Sequence, residues 1–534
     1  MRALHIDGNR LTLAELREVV YERRPVLLAP DAREKVAASR RIVEELVQQN
    51  RVAYAVNTGV GKLSDVRIAS DQIRELQMNL LRSHAVGVGS PLSEPVTRAM
   101  MLLRTNSLAK GFSGVRPVVL DTLSEMLNRG VHPVIPSQGS VGASGDLAPL
   151  AHLALVLAGE GMAIHEGRLL RGAEAMSGAE VKLLELEAKE AISLMNGTQA
   201  MLAVGTLSLL AAENLVDTAD VLGALTLDAL RGTTVAMDER IHRARPHEGQ
   251  LQSARNVRRL LEGSQIRQSH IDCSRVQDAY SLRCIPQVHG AVRDTLAFCR
   301  QVFEVEMNSA VDNPLVFEAQ ADHREPLRPS KIPAMDDRRN HSNSSQEPNS
   351  GEVISGGNFH GQPIAFALDY LAIALAALAG ISERRIERMV NPALNEGLPA
   401  FLAAGAGLNS GFMIPQVTAA ALASENKVLA HPASVDSITT SGNKEDYVSM
   451  GMNAALKLER VVANTTHVLA IEAAAAAQAV EFLEPLKTSP RLEKAHAAIR
   501  AASSKMDCDR VLTDDLNRLA QLIRDGRLAA ALLV

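Results

Sequence analysis

Residues 447–482, YVSMGMNAALKLERVVANTTHVLAIEAAAAAQAVEF, carry apolar side chains at helical spacing over an unusually long stretch. The same pattern recurs at 199–230, 288–311, 362–391 and 414–430, and long helices packed into a bundle are the economical reading. Composition points the same way. Hydrophobic residues make up 46% of the 534 while aromatics reach only 3% and Trp is absent, and the abundance of Ala and Leu favours close-packed helices over sheets. The expected fold class is mainly α: a long-helix bundle over 113–534 with a smaller N-terminal domain over 1–112. In that smaller domain short apolar runs alternate with the glycine-bearing loops NTGVGK (57–62) and AVGVGS (85–90). Helix starts are predicted at Asp146 and Ser449, and Pro432 and Pro485 punctuate others.

Several function classes fall away on charge and cysteine content. Fifty-six basic against sixty-one acidic side chains leave a net charge of −5, with no basic stripe interleaved with aromatics, so nucleic acid and anionic membranes are not expected partners. Cys273, Cys284, Cys299 and Cys508 form no CxxC pair and have no His at zinc-ligand spacing, so no metal is expected and reduced thiols in the cytoplasm fit best. The start of the chain does not read as a secretory signal. Ile364 to Ala379 is very apolar but short and interrupted by Asp369, which reads as a buried core helix rather than a membrane span. Residues 320–351 are polar and rich in Pro, Ser and Asn; they read as a mobile insertion, either solvated or a lid.

The string Gly139-Ser140-Val141-Gly142-Ala143-Ser144-Gly145-Asp146-Leu147-Ala148-Pro149-Leu150 carries the chemistry. Its three glycines at intervals of three suggest a tight backbone, but it lacks both GxGxxG and a GK[ST] ending, and NTGVGKLS at 57–64 has Val56 where a phosphate loop needs glycine. A different chemistry uses the backbone itself. If the chain is bent sharply enough, the Gly145 amide nitrogen can attack the Ala143 carbonyl, and glycine suits that position sterically. Loss of water closes a five-membered ring. Loss of the Ser144 hydroxyl as a second water leaves an exocyclic methylidene, a carbon electrophile that an amine can add to. Ala-Ser-Gly alone is a common turn tripeptide, so its surroundings decide.

Those surroundings closely resemble the family of histidine and aromatic amino-acid ammonia-lyases, whose signature is this Gly-x-x-Gly-Ala-Ser-Gly-Asp-Leu-x-Pro-Leu segment. The resemblance continues through TyrAlaValAsnThrGly at 54–59, SerHisAlaValGlyValGly at 83–89, AsnGlyThrGln at 196–199, GlnAspAlaTyrSerLeuArg at 277–283, GlyGlyAsnPheHis at 356–360 and GluAsp at 445–446, in order along nearly the whole chain. It implies a homotetramer with active sites shared between subunits. It also implies no external cofactor, the electrophile being a 4-methylidene-imidazol-5-one formed from Ala143-Ser144-Gly145.

The resemblance also assigns residues. Tyr54 becomes a catalytic acid or base, a role that calls for positive dipoles around its phenol, whereas read blandly it is a half-buried packing tyrosine. Arg283 is the carboxylate anchor, because a guanidinium offers two parallel donors to a planar carboxylate; a surface ion pair is the plainer alternative. Gln277, Tyr280 and Arg283 recur at intervals of three, so even an irregular helical turn, ended by Pro286, would put them on one side, and in the family this cluster faces the substrate. Tyr280 joins the catalytic set. Asn196 could hold the imidazolone oxygen or the substrate carboxylate, or simply form an Asx turn. Phe359 resembles the aromatic near the prosthetic group and Asp146 the carboxylate associated with ring closure; a core phenylalanine and a helix N-cap are the structural alternatives.

Substrate choice rests on His84 and Glu445. Both can hydrogen-bond an imidazole, and both match the histidine-specific branch of the family. A carboxylate buried against a benzene ring would stay unpaired. The implied reaction is deamination of a small amino acid, L-histidine, to trans-urocanate and ammonia, with either Tyr54 or Glu445 taking the β-proton. Three departures from the pattern weaken the substrate assignment more than the reaction class: the 320–351 insertion, Val60 where phenylalanine often stands, and Tyr447 where histidine is common. An aminomutase, or a lyase for another aromatic amino acid, is the runner-up. A catalytically dead scaffold is a third reading, against which the intact Ala143-Ser144-Gly145, Tyr54 and Arg283 argue.

Overall fold

A computed structural model describes residues 1–143, 145–272, 275–319 and 351–532. The chain is mostly helical and forms two compact units. One comprises Met1–Ala200, Met307–His360 and Ile438–Val448; the other comprises Met201–Glu306, Gly361–Ser437 and Ser449–Val534.

In the first unit α1 (Leu13–Tyr21) starts on a Thr12/Glu15 capping box, each side chain taking a backbone N–H of the other. Helix α2 (Pro30–Gln48) lays Ile42, Val43 and Leu46 into a core with Val56, Ile73 and Val316. Next come α3 (Ile73–His84) and α4 (Glu94–Ala109), the latter buried on every side from Val96 to Ala109. A helix buried all round must satisfy its polar groups inside the protein. Arg98 accordingly donates to the carbonyls of Val19, Val20 and Leu127, and Asn106 Oδ1 accepts the Gly8 N–H. Helices α1 and α5 (Pro117–Arg129) pack on α4. Farther on, α6 (Leu147–Leu157), α7 (Gly172–Gly178) and α8 (Glu190–Met195) follow, with α3, α6 and α8 packed on one another. Short strand pieces complete the unit: β1 (Leu4–Ile6) parallel to β2 (Val26–Leu28), β3 (Val88–Pro91) and β4 (His132–Pro133) antiparallel to β5 (Pro136–Gln138) and β6 (Met162–His165) respectively, β7 (Arg168–Arg171) on β6, and β8 (Leu315–Glu318) antiparallel to β9 (Gly351–Ile354).

This unit runs well past the boundary expected at residue 112, and the reason is α4. That helix ends at Ala109 and is covered by α1 and α2 from before it and by α5 from beyond residue 112.

The second unit holds α9 (Gln199–Ala229), α10 (Glu239–Arg243), α11 (Glu248–Leu260), α12 (Gln265–Gln268), α13 (Tyr280–Arg283), α14 (Ile285–Met307), α15 (Gln362–Val390), α16 (Met413–Leu429), α17 (Gly451–Glu481), α18 (Pro490–Ala502) and α19 (Thr513–Arg524). The five segments expected to be long helices are α9, α14, α15, α16 and α17. Helices α15, α16 and α17 pack pairwise around Ala379, Ile386, Ala419, Val468 and Ile471. The run Ala473–Ala477 is wholly buried, since side chains this small let neighbouring backbones approach closely. Beside it Glu472 accepts both arms of Arg385 (2.5 and 2.8 Å), Thr226 Oγ1 (2.9 Å) and Ser382 Oγ (2.5 Å), so this buried charge is paired and hydrogen-bonded.

Two local expectations shift. Helix α17 begins at Gly451, not Ser449, because Met450 takes a left-handed conformation (φ 52°) and Ser449 Oγ accepts the Gly451 N–H. Pro286 opens α14 in its first turn, where a missing N–H costs nothing, while α13 has already ended at Arg283. The apolar stretch 364–379 lies in α15. Both α9 and α15 are long and apolar enough to cross a membrane, yet 72% and 61% of their most apolar windows are buried within the protein, as core helices are. The 320–351 insertion lies, except for its last residue, outside the described residues.

Candidate active site

A cavity of about 700 Å³ in the first unit is lined by Tyr54, His84, Ala143, Asn196, Phe359 and Glu445. Six residues singled out in the sequence, spread from position 54 to 445, therefore line one cavity. Four of them lie at or near the ends of elements. His84 is the last residue of α3, Asn196 follows α8, Ala143 precedes α6, and Phe359 lies between β9 and α15.

Behind Ala143 the backbone is folded tightly. Gly142 and Gly145 have φ of 69° and 73°, and Ser140 Oγ accepts the Gly142 N–H (3.1 Å) while donating to Asp146 Oδ1 (2.9 Å). Asp146 is fully buried at the N-cap of α6, but its carboxylate makes no cap bond to that helix. The Asp146 N–H donates to the Gly197 carbonyl (2.6 Å), and Gly145 is pressed so closely on Gly197 that an added Cβ would overlap the Gly197 peptide. Only glycine fits at 145, on sterics and on φ alike. Ser144 lies outside the described residues.

The polar groups of the cavity have defined directions. His84 Nδ1 lies 2.7 Å from the Leu80 carbonyl; a carbonyl only accepts, so in the neutral ring Nδ1 carries the proton and Nε2 is an acceptor. Glu445, half-buried, accepts the Thr440 hydroxyl (2.7 Å), and Tyr54 Oη accepts the Gly61 N–H (3.3 Å). Asn196 is 3% exposed; its Nδ2 donates to the Asn313 carbonyl (3.0 Å), and its Oδ1 is buried with no partner among the described residues. Beside that bond the side chain keeps a second amide hydrogen and the Oδ1 acceptor for a bound group.

Gln277, Tyr280 and Arg283 belong to the second unit. Tyr280 is 71% exposed, and the Arg283 guanidinium stacks 4.6 Å above its ring; both sit on the single turn α13, whereas Gln277 precedes it in irregular chain.

Asn313 went unnoticed in the sequence. It lines the cavity, its Oδ1 accepts the Gly356 N–H (2.7 Å) and its Nδ2 donates to Ser355 Oγ (3.2 Å), tying Asn196 to the loop that carries Phe359. An Asn-Pro pair at 313–314 reads only as a turn, so nothing local pointed to it. His360, also missed, stacks on Tyr447 (6.1 Å between ring centres, 16° between planes), and Val60 and Tyr447, two of the departures noted above, line the same cavity.

A family model described as aromatic amino acid lyase matches residues 11–501. The chain belongs to the aromatic amino acid lyase family. Its curated relatives, ammonia-lyases aligned over almost the whole chain, make it a carbon–nitrogen lyase. It is 68% identical over 531 residues to the histidine ammonia-lyase of Koribacter versatilis, with 99% of each chain covered. Among solved structures it is similar to histidine ammonia-lyase from Trypanosoma cruzi (39% identity, TM-score 0.87, covering 100% of this chain and 95% of that one). It is also similar to tyrosine aminomutase from Streptomyces globisporus (38% identity, TM-score 0.89, covering 99% and 98%).

Proposed function

We propose that this lyase deaminates L-histidine to trans-urocanate and ammonia, using a 4-methylidene-imidazol-5-one that it makes from Ala143, Ser144 and Gly145. The observation that carries the reading is one cavity lined by Ala143, His84 and Glu445 together. The residues present fit such a ring: Gly145 has the conformation and the missing Cβ that a closed backbone needs, Asp146 is buried alongside, and Asn196 Oδ1 has no partner among the described residues. When formed, the group supplies a carbon electrophile for the substrate amine.

The chain's own side chains do the remaining work. His84 Nε2 accepts the imidazole N–H, and Glu445 takes a second imidazole hydrogen or the β-proton. Tyr54 acts as acid or base at the reacting carbon, Phe359 packs beside the ring, and Asn196 Oδ1 orients the amine.

Arg283, with Gln277 and Tyr280, anchors the carboxylate from another copy of the chain in a cytoplasmic homotetramer. Support for that assembly comes from the second unit, where Tyr280 is exposed and Phe366, Tyr370 and Ile373 (55, 47 and 45% exposed) form an apolar row on α15. Rows of this kind are normally covered in a stable oligomer.

The likeness to a tyrosine aminomutase favours one alternative, return of the amine to the β-carbon. An equimolar mixture of L-histidine, L-phenylalanine and L-tyrosine, incubated with the protein and resolved by NMR, separates the readings. Urocanate and ammonia as the only products support histidine deamination; cinnamates overturn the substrate, and β-amino acids overturn the outcome.

A further inference from the structure

Arg104, in the middle of α4, is among the largest side chains with no exposed surface. Its Nη1 donates to the Asn196 carbonyl (2.7 Å) and to Gln199 Oε1 (3.0 Å), while Nε and Nη2 are buried with no partner among the described residues. Burying a guanidinium with two nitrogens unused is costly, and helix α4 would pack better around an apolar side chain. Burial pushes its pKa down to about 10, against the raising effect of Asp312, so the group stays charged at neutral pH. A structural arginine is normally enclosed by acceptors, as Arg98 is two turns earlier on the same helix.

What Arg104 grips is the turn against which Gly145 is pressed. A Cβ on Gly197 would come within 2.5 Å of Arg104 Nη1, and on its other side Gly197 meets Gly145 and accepts the Asp146 N–H. The contacts run from guanidinium to Asn196-Gly197 and from there to Gly145-Asp146. The two unused nitrogens let Arg104 bear on this one turn without being divided among other carbonyls.

We propose that Arg104 is a positioning residue for the self-closure of Ala143-Ser144-Gly145, fixing the Asn196-Gly197 turn as the wall that keeps Gly145 bent. The inference rests on the ring-forming reading above. In the closure a bond forms between the Gly145 amide nitrogen and the Ala143 carbonyl carbon, and the carbonyl oxygen leaves as water with the Gly145 and Ser144 amide hydrogens. The Ser144 Cα–H and Cβ–O bonds then break, releasing a second water and leaving the carbon–carbon double bond. Neither step needs an oxidant or a co-reactant. Arg104 acts through the turn: a misplacement of about 1 Å in such an arrangement costs on the order of 10²-fold in rate.

The test is intact mass of freshly folded wild type, Arg104→Lys and Arg104→Met, followed over time, with circular dichroism and size exclusion run on the same samples. Wild type is expected to become two waters lighter than its sequence. Folded Arg104→Met should close at least about tenfold more slowly, and Arg104→Lys, which keeps the charge and reaches one acceptor, should fall between. Slowed closure in variants whose circular dichroism and elution match wild type separates positioning of the closure from a general loss of stability. Closure of both folded variants at the wild-type rate overturns the proposal while leaving the proposed function intact. Should Arg104→Met not fold, Arg104→Lys decides alone, wild-type closure overturning the proposal and slowed closure upholding it. A wild type that never loses two waters overturns the ring-forming reading and this inference with it.

Discussion

Gly145 is held at φ 73° with the Gly197 peptide where its Cβ would be, so alanine at 145 must either move the turn or relax the bend. Gly145→Ala is expected to keep both waters by intact mass and to lose activity by about 10³-fold or more, because the electrophile is asked to supply several kcal/mol of the barrier. Glu445→Gln tests the substrate assignment. Losing a charge-assisted hydrogen bond costs roughly 1.5–3 kcal/mol, so kcat/KM for L-histidine should fall about 10- to 100-fold while that for L-phenylalanine holds or rises. An equal fall for both amino acids would assign Glu445 to the chemistry and not to the ring. At this scale the sequence was most legible where a motif is contiguous. Tyr54, His84, Ala143, Asn196, Phe359 and Glu445 could each be picked out from short strings, and the cavity gathers them. Asn313 and Arg104 were not legible, because their importance lies in partners 117 and 92 residues away that no local pattern reveals.

Among elements, α4 and α8 carry the site's foundations. Between them Lys189, in a left-handed conformation just before α8, donates to Ser193 Oγ (2.9 Å) and pairs with Asp312 (3.1 Å), both charges wholly buried. Burial pushes the Lys189 ammonium down from its usual range, and the Asp312 carboxylate opposes that shift. Removing one member of such a pair strands the other: Lys189→Met should cost about 3–5 kcal/mol, whereas Lys189→Met with Asp312→Leu should recover much of it. Thermal melts of the two variants check this, and a double variant as unstable as the single would show that the pair itself is worth stabilising energy. Long helices were readable because a 3.6-residue period sustained over many turns leaves few other choices, as in α9 and α17. Their ends were less so: Met450 at φ 52° displaces the start of α17 from Ser449, and no residue type at that point announces a left-handed turn.

For the molecule as a whole, the division into units was the least legible feature, since the first unit takes back residues 307–360 and 438–448 after the chain has left it. Sequence periodicity reports each helix's own face and is silent on which distant segment covers it. The second unit has a pH dependence of its own. Asp228 accepts Ser264 and Thr488 hydroxyls, but burial outweighs them and holds its carboxyl up at about 6. The folded protein then binds more protons than the unfolded chain between about pH 4 and 6, so stability falls as pH rises through that window and stays lower above it. Asp228→Asn should therefore melt higher than wild type at pH 8, by up to about 3 kcal/mol, with the advantage fading as pH drops towards 4. A melting difference independent of pH would remove Asp228 as the cause.

The central claim is that the chain makes its own electrophile and spends it on histidine. The direct measurement follows near-ultraviolet absorbance of L-histidine with purified wild type and with Ser144→Ala, each shown to be folded, and assays ammonia in parallel. Wild type should give urocanate and ammonia in equal amounts, and the variant neither. Absence of urocanate with wild type, or equal production by Ser144→Ala, would contradict that claim.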